Sequence, residues 1–453
     1  MRRARFLRMG LTTILRLLWS RRKLARRDRW RREQLESFQR EALRVLRKFA
    51  TERSPFYASF HRGLAGAPLA GLPVMTKSLL MEHYDSIATD SRVRLREVEA
   101  WVAVRRPDRY LGRYRVTATA GSSGLKGIFI SDPEEWLTVL ASYARASQWA
   151  GTAAGLFRRT RIAVVSSRNP SHQSALVGLT LRSPWVPTLR LDAAQPMDEI
   201  VRALNAFQPE ALIAYASMAQ LLADEQLAGR LRIRPGAVQC SSEVLTREAR
   251  QRTERAFGVP VREVYAATET AGIASQCERG SFHLYEDLVI PEVVDVENRP
   301  VPRGDLGDKL LVTVLSSRTL PLIRYELTDR VRLLDGACGC GRPFGLLAAV
   351  EGRSDDELDF AGGTGGKIRV HPFVLQEAME GLPVRAWQIV GERARLRVLL
   401  AGAPAGLRDD QVRERLVHAV ASRGGVPPLI EVECVRDIPR TAAGKAPLIR
   451  RER

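Results

Sequence analysis

The sequence predicts an α/β protein in which a large unit, built on a parallel sheet flanked by helices, is followed by a small α+β unit. Three observations carry this. Short β-rich runs at 161–167, 211–217, 236–242 and 261–268 alternate with helical stretches at 197–207, 219–228 and 246–257, the pattern of βαβ units. The order breaks at Glu351, Gly352, Arg353, Ser354, Asp355 and Asp356, and glycines at 362, 363, 365 and 366 follow. Finally, 453 residues exceed one ordinary core, so two or three units are expected.

Charge is uneven along the chain. Of the net +20, residues 1–50 hold 17 Arg/Lys against four acids (Asp28, Glu33, Glu36, Glu41), a net of +13. Within 1–30, Phe6, Leu7, Leu11, Ile14, Leu15, Leu17, Leu18 and Trp19 recur among arginines at helical spacing, predicting an amphipathic helix. Arg16 interrupts its apolar stretch and no small-residue cleavage site follows, which disfavours a secretory signal. The helix is expected either to meet an anionic membrane surface or to be a solvated basic extension, docked on the body or left disordered. No nucleic-acid recognition motif accompanies the charge, and no nucleic-acid partner is expected. A second helix is expected over 34–49, ending before a turn at Ser54 and Pro55. Five cysteines in a long chain fit a reducing cytoplasm, and no run is long enough to span a bilayer.

Next comes the loop Thr119, Ala120, Gly121, Ser122, Ser123, Gly124, Leu125, Lys126, Gly127. Glycines let backbone N–H groups approach an anion, and hydroxyls add donors, so the run suits a phosphate cradle. It lacks the Walker spacing. Lysine is rare here, only seven among 71 basic residues, so Lys126 and Lys445 stand out. Beyond the break, strands at 386–390 and 395–400, a helix at 409–421 and a last strand at 429–435 make up the small unit.

Seven segments in order resemble the adenylate-forming enzyme superfamily, and more closely its phenylacetate–CoA ligase-like branch. They are Ser54 to Tyr57 with Leu72 to Lys77 and His83 to Asp85, the loop 119–127, Ser241-Ser242-Glu243, Tyr265 to Glu269, Pro321 to Tyr325 with Asp329, Gly352 to Asp356, and Pro439 to Lys445. The resemblance covers about residues 34–450. It implies an extension at 1–33, an adenylation (AMP-binding) domain at 34–352, and a mobile C-terminal lid domain at 353–453. It implies activation of a carboxylic acid by ATP to an acyl-adenylate, then thioester formation with CoA. The alternatives are delivery to an amine or carrier protein, and a non-catalytic membrane-associated binding protein on this fold.

The resemblance also implies roles. Thr119, Gly121, Ser122, Ser123 and Gly124 would hold phosphates, Ser242 and Glu243 would line the adenine pocket, and Tyr265 would stack on adenine. Asp329 would accept the ribose hydroxyls, Thr268 would face the α-phosphate, Glu269 would hold Mg²⁺, and Lys445 would bridge carboxylate and ATP, with Asp355 as hinge. Such chemistry brings two anions together, so a cation, a lysine and hydrogen-bond donors are its natural tools. The sequence departs from the family pattern in three places: the loop lacks its usual proline with Lys126 one place early, Ala266 stands for glycine, and the segment after the hinge is longer.

Cys277, His283, Cys338 and Cys340 form a three-thiolate, one-imidazole set suited to structural Zn²⁺. Cys240 and Cys434 are expected in cores. The expected setting is cytoplasmic, with peripheral attachment at the inner membrane face and a homodimer both left open.

Overall fold

A computed structural model describes the chain except residues 1–10, 105–107, 120–125, 153–158, 181–185, 354–357, 364, 371, 393–394, 442–443 and 452–453. Its centre is a nine-stranded mixed sheet. One half is parallel, running from Val261–Ala267 through Ala237–Ser241, Ala211–Tyr215 and Ile162–Ser166 to Thr188–Asp192. These are the strands expected from alternation, joined by Thr188–Asp192. Their apolar runs are buried among Val165, Leu212, Val238 and Val261, with helices covering the sheet. Helix ends follow local chemistry. Helix Arg247–Phe257 starts where the Thr246 hydroxyl accepts from Ala249 N at 3.2 Å, and it stops at Gly258, φ 69°.

From Val261–Ala267 the sheet continues antiparallel through Ala271–Gln276, Phe282–Leu284, Leu346–Arg353 and Asp329–Leu334. Thr268 and Glu269 therefore occupy a turn between two strands, and no helix follows for them to cap. A hairpin of Arg115–Ala118 and Ile128–Ser131 carries the 119–127 loop. Its base is tied twice, with Thr119 N donating to Gly127 O and Gly127 N to Thr119 Oγ1, each at 2.9 Å.

The N-terminal segment is docked on the body. Helix Leu11–Arg27 packs on helix Pro133–Trp149 with Leu17 and Leu24 buried. At its end Arg145 grips the Asp287 carboxylate with two bonds, 2.7 and 2.9 Å, and donates to Leu24 O at 3.2 Å. Arg27 shares the same carboxylate, and Trp149 Nε1 donates to Asp28 at 2.9 Å. Burial alone would raise the Asp287 pKa, but Arg145 and Arg27 outweigh it and hold the carboxyl below its usual range. Among the expectations for this helix, the described residues show docking along one face. The other face exposes Leu15 and Trp19 beside Arg22, Lys23 and Arg26. No described helix is long and apolar enough to cross a membrane.

Strand Leu346–Arg353 is the last strand of the large sheet in chain order, and the next described strand, Leu358–Gly362, opens a separate unit. Its two sheets pack around a core of its own that includes Leu375, Ile389, Val398 and Leu416. Strand Leu429–Val435 lies at the edge of the four-stranded sheet, so Cys434 is exposed. That corrects its expected place in a core. Cys240, in the middle of the large sheet, is buried as expected.

Candidate active site

Where the parallel strands end, their loops meet the small unit around a cavity of about 900 Å³. Open parallel sheets place ligand sites at this edge, because strand-to-helix turns expose backbone donors there. Of the sequence-predicted residues, the cavity brings together Ser242, Glu243, Tyr265, Asp329 and Lys445. Tyr265 and Asp329 are buried, and the tyrosine hydroxyl donates to Asp329 Oδ2 at 3.0 Å. Ala266, the departure from glycine, lines the same space. Ser242 holds φ 70°, the left-handed region where glycine is comfortable.

Lys445 reaches the cavity from the small unit on a tight turn. Thr441 N donates to Lys445 O at 2.8 Å, and Lys445 N donates to Thr441 Oγ1 at 3.2 Å. Gly444 has φ 79°, and a Cβ there would lie 2.5 Å from that of Ala193. Only glycine allows both the turn and this close approach. Arg440 Nη1 donates to Ala193 O at 2.7 Å beside it. The Lys445 ammonium lies 5.3 Å from the centre of the Tyr215 ring, within cation–π range.

Thr268 and Glu269 lie elsewhere, on a small cavity of about 40 Å³. The strand-end segment through Gln173 connects the two places: His172 faces the large cavity, while Gln173 Nε2 donates to Thr268 O at 3.1 Å. Gly121, Ser122, Ser123, Gly124 and Asp355 fall outside the described residues. Thr119 is described at the base of its loop and lines neither cavity.

Sequence reasoning missed Arg168, Asn169 and His172, which follow strand Ile162–Ser166 and line the large cavity. His172 Nδ1 lies 2.9 Å from Ser167 Oγ, and Ser167 N donates to the Tyr215 hydroxyl at 2.9 Å. The position of a polar loop just after a parallel strand was the signal available. Arg324, in the Pro321 to Tyr325 motif, is structural. It is buried, pairs with Glu292 at 3.2 Å and donates to Leu72 O, joining two motifs some 250 residues apart.

A second cluster lies away from the cavity. The ligand atoms of Cys277, His283, Cys338 and Cys340 are all within 4.8 Å of one another. Cys340 Sγ is 3.2 Å from His283 Nε2, and His283 Nδ1 donates to Phe344 O at 3.3 Å. That bond orients the imidazole and leaves Nε2 as the free lone pair toward the thiols.

No protein-family model matches the sequence. The chain is 28% identical to phenylacetate-coenzyme A ligase of Thermus thermophilus over 388 residues, 80% of this chain and 79% of that one. Among solved structures, 2-hydroxyisobutyryl-CoA ligase with 2-HIB-AMP in its postadenylation state aligns over 95% of this chain and 92% of its own at 20% identity, TM-score 0.72. The same enzyme with 2-HIB-AMP and CoA in its thioesterification state aligns at TM-score 0.59, 19% identity, over 94% and 92%.

Proposed function

We propose that the chain is an adenylate-forming enzyme of the phenylacetate–CoA ligase-like branch, which activates a carboxylic acid with ATP and passes the acyl group to CoA. In the first step a carboxylate oxygen attacks the α-phosphorus, the bond to the β-phosphate oxygen breaks, and pyrophosphate leaves. In the second, a thiolate sulfur attacks the acyl carbon and AMP leaves. The observation that carries this reading is the presence of Lys445 in the same cavity as Ser242, Tyr265 and Asp329.

Lys445 neutralises charge as the carboxylate meets ATP, a role for a mobile point charge. Asp329 accepts the ribose hydroxyls, Tyr265 packs on adenine, and residues 119–124 hold the β- and γ-phosphates. Thr268 turns toward the α-phosphate. Glu269 would hold Mg²⁺, and its neighbourhood of carboxylate and hydroxyl oxygens suits a hard cation. When bound, Mg²⁺ offsets phosphate charge. Residues from about 353 onward act as the lid, an assignment supported by their separate core. Zn²⁺ would close the Cys277, His283, Cys338 and Cys340 set, whose four converging donors and oriented imidazole match a structural site. The outer face of helix Leu11–Arg27, with Trp19 and Leu15 among basic side chains, takes an anionic membrane surface on the cytoplasmic side.

ATP–pyrophosphate exchange against a panel of carboxylic acids tests the central claim, with Lys445→Ala and Glu269→Ala as controls. Acid-dependent exchange lost in both variants supports it. Exchange without a CoA ester favours an amine or carrier acceptor, and no exchange with any acid favours a non-catalytic binding protein.

A further inference from the structure

Glu243 lies on the seam between the two units, and its carboxylate serves both. One oxygen accepts from Ser217 N at 2.9 Å and Ser217 Oγ at 2.7 Å, in the first turn of helix Ala216–Leu227. The other accepts from Ala446 N at 2.8 Å, across 203 residues of sequence. Ala446 directly follows Lys445. A carboxylate at a helix N-terminus is favoured by the helix dipole, and its bonds to N–H donors are charge-assisted. Three donors thus occupy most of its acceptor positions and fix it as a bridge.

Other contacts cross the seam farther from the lysine. Arg385 pairs with Asp224 at 3.9 Å, and Gly381 N donates to Glu248 at 3.2 Å. Arg440 holds Ala193 O at the start of the lysine turn. The Glu243 bond is the one made to the peptide next to Lys445, on the side away from Arg440. Arg440 and Glu243 therefore grip the turn from its two ends, and Gly444 lies between them against Ala193. Ser242, directly before the glutamate, holds φ 70°.

We propose that Glu243 is a positioning residue which seats Lys445 in the cavity, rather than a contact to the nucleotide. The proposal rests on the acid-activating function above. It makes the adenylation step depend on Glu243 and leaves the thiol-transfer step, to which the proposed function assigns Lys445 no part, independent of it.

The test uses the full chain as wild type, Glu243→Gln and Ser217→Ala, with unfolding midpoints confirming that each folds. Hydrogen exchange without any ligand comes first. Peptides covering 444–448 are expected to exchange roughly tenfold faster or more in Glu243→Gln, with a smaller effect in Ser217→Ala, as loss of a charge-assisted hydrogen bond predicts. Unchanged protection there overturns the proposal. Half-reactions follow, using the acid found by pyrophosphate exchange. Exchange is expected to fall roughly tenfold or more in kcat with KM for ATP within about twofold, while thioester formation from pre-made acyl-adenylate stays within about twofold of wild type. A raised KM for ATP with unchanged kcat makes Glu243 a nucleotide contact and overturns the proposal. If the wild type shows no exchange with any acid, the acid-activating reading fails, and the hydrogen-exchange result alone decides whether Glu243 seats the lysine turn.

Discussion

Lys445 and Gly444 are neighbours in one tight turn, the lysine carrying the charge proposed for catalysis and the glycine letting the turn lie against Ala193. Replacing Lys445 by alanine removes the cation expected at the reacting oxygens, and exchange should fall by about 100-fold or more while the unfolding midpoint hardly moves. Gly444→Ala places a methyl group against Ala193 and forces a left-handed alanine. Steady-state exchange should then drop by about tenfold or more. Stability should change little, because the turn can lift from the body. His61 makes a different kind of prediction. Its buried ring, stacked on Phe60, has its pKa lowered to about 4 by burial, with Arg47 adding repulsion. The unfolded chain protonates this group near pH 6.5. Stability tied to His61 is thus present above that pH and is lost as the pH falls toward 4. Urea titrations of His61→Phe should show a shallower loss of stability across this window than wild type. Of these three residues only Lys445 was legible from sequence. Its rarity and motif marked it, whereas the contact of Gly444 with Ala193 depends on chain segments some 250 residues apart.

At the level of elements, what was legible followed the length of the signal. The helix expected at 197–207 and the strand expected at 429–435 have those bounds in the structure. The antiparallel half of the large sheet was not foreseen, since a three-residue strand such as Phe282–Leu284 carries no periodicity to read. The N-terminal helix was foreseen as amphipathic, but its partner was not, because Asp287 is an ordinary acid in sequence. Asp287→Asn leaves Arg27 and Arg145 buried around a neutral amide, and denaturant unfolding should show a loss of about 3–5 kcal/mol. The outward face predicts a separate result. Wild-type protein should float with vesicles containing phosphatidylglycerol and stay unbound with phosphatidylcholine alone. Trp19→Ser combined with Leu15→Ser should weaken that binding by about tenfold without altering the unfolding midpoint. Equal binding by the double variant removes the membrane reading.

Across the whole molecule, Trp149 joins features that the sequence keeps far apart. Its ring meets His283 edge-on at 5.9 Å, the Arg342 guanidinium lies over it at 4.4 Å, and its Nε1 holds Asp28. The Cys277 and His283 cluster therefore adjoins the socket that receives the N-terminal arm. Metal analysis of protein purified in reducing buffer should find one zinc per chain. Chelation should lower the unfolding midpoint by about 5 °C or more and speed proteolytic cleavage near residues 24–30. A metal-free protein of unchanged stability removes the zinc site. The four clustered side chains could be read from their spacing in the sequence, but their neighbour Trp149 could not. It is one of seven tryptophans with nothing local to distinguish it.

The Arg27–Asp287 contact spans 260 residues, which gives it a meaning in time. During synthesis the first helix leaves the ribosome on the order of ten to fifty seconds before its carboxylate exists. Throughout that interval Arg27 lacks its Asp287 counter-charge, while Leu17 and Leu24 wait only for helix Pro133–Trp149. The helix is thus made long before the contact that fastens its end, as a clasp waiting for its catch.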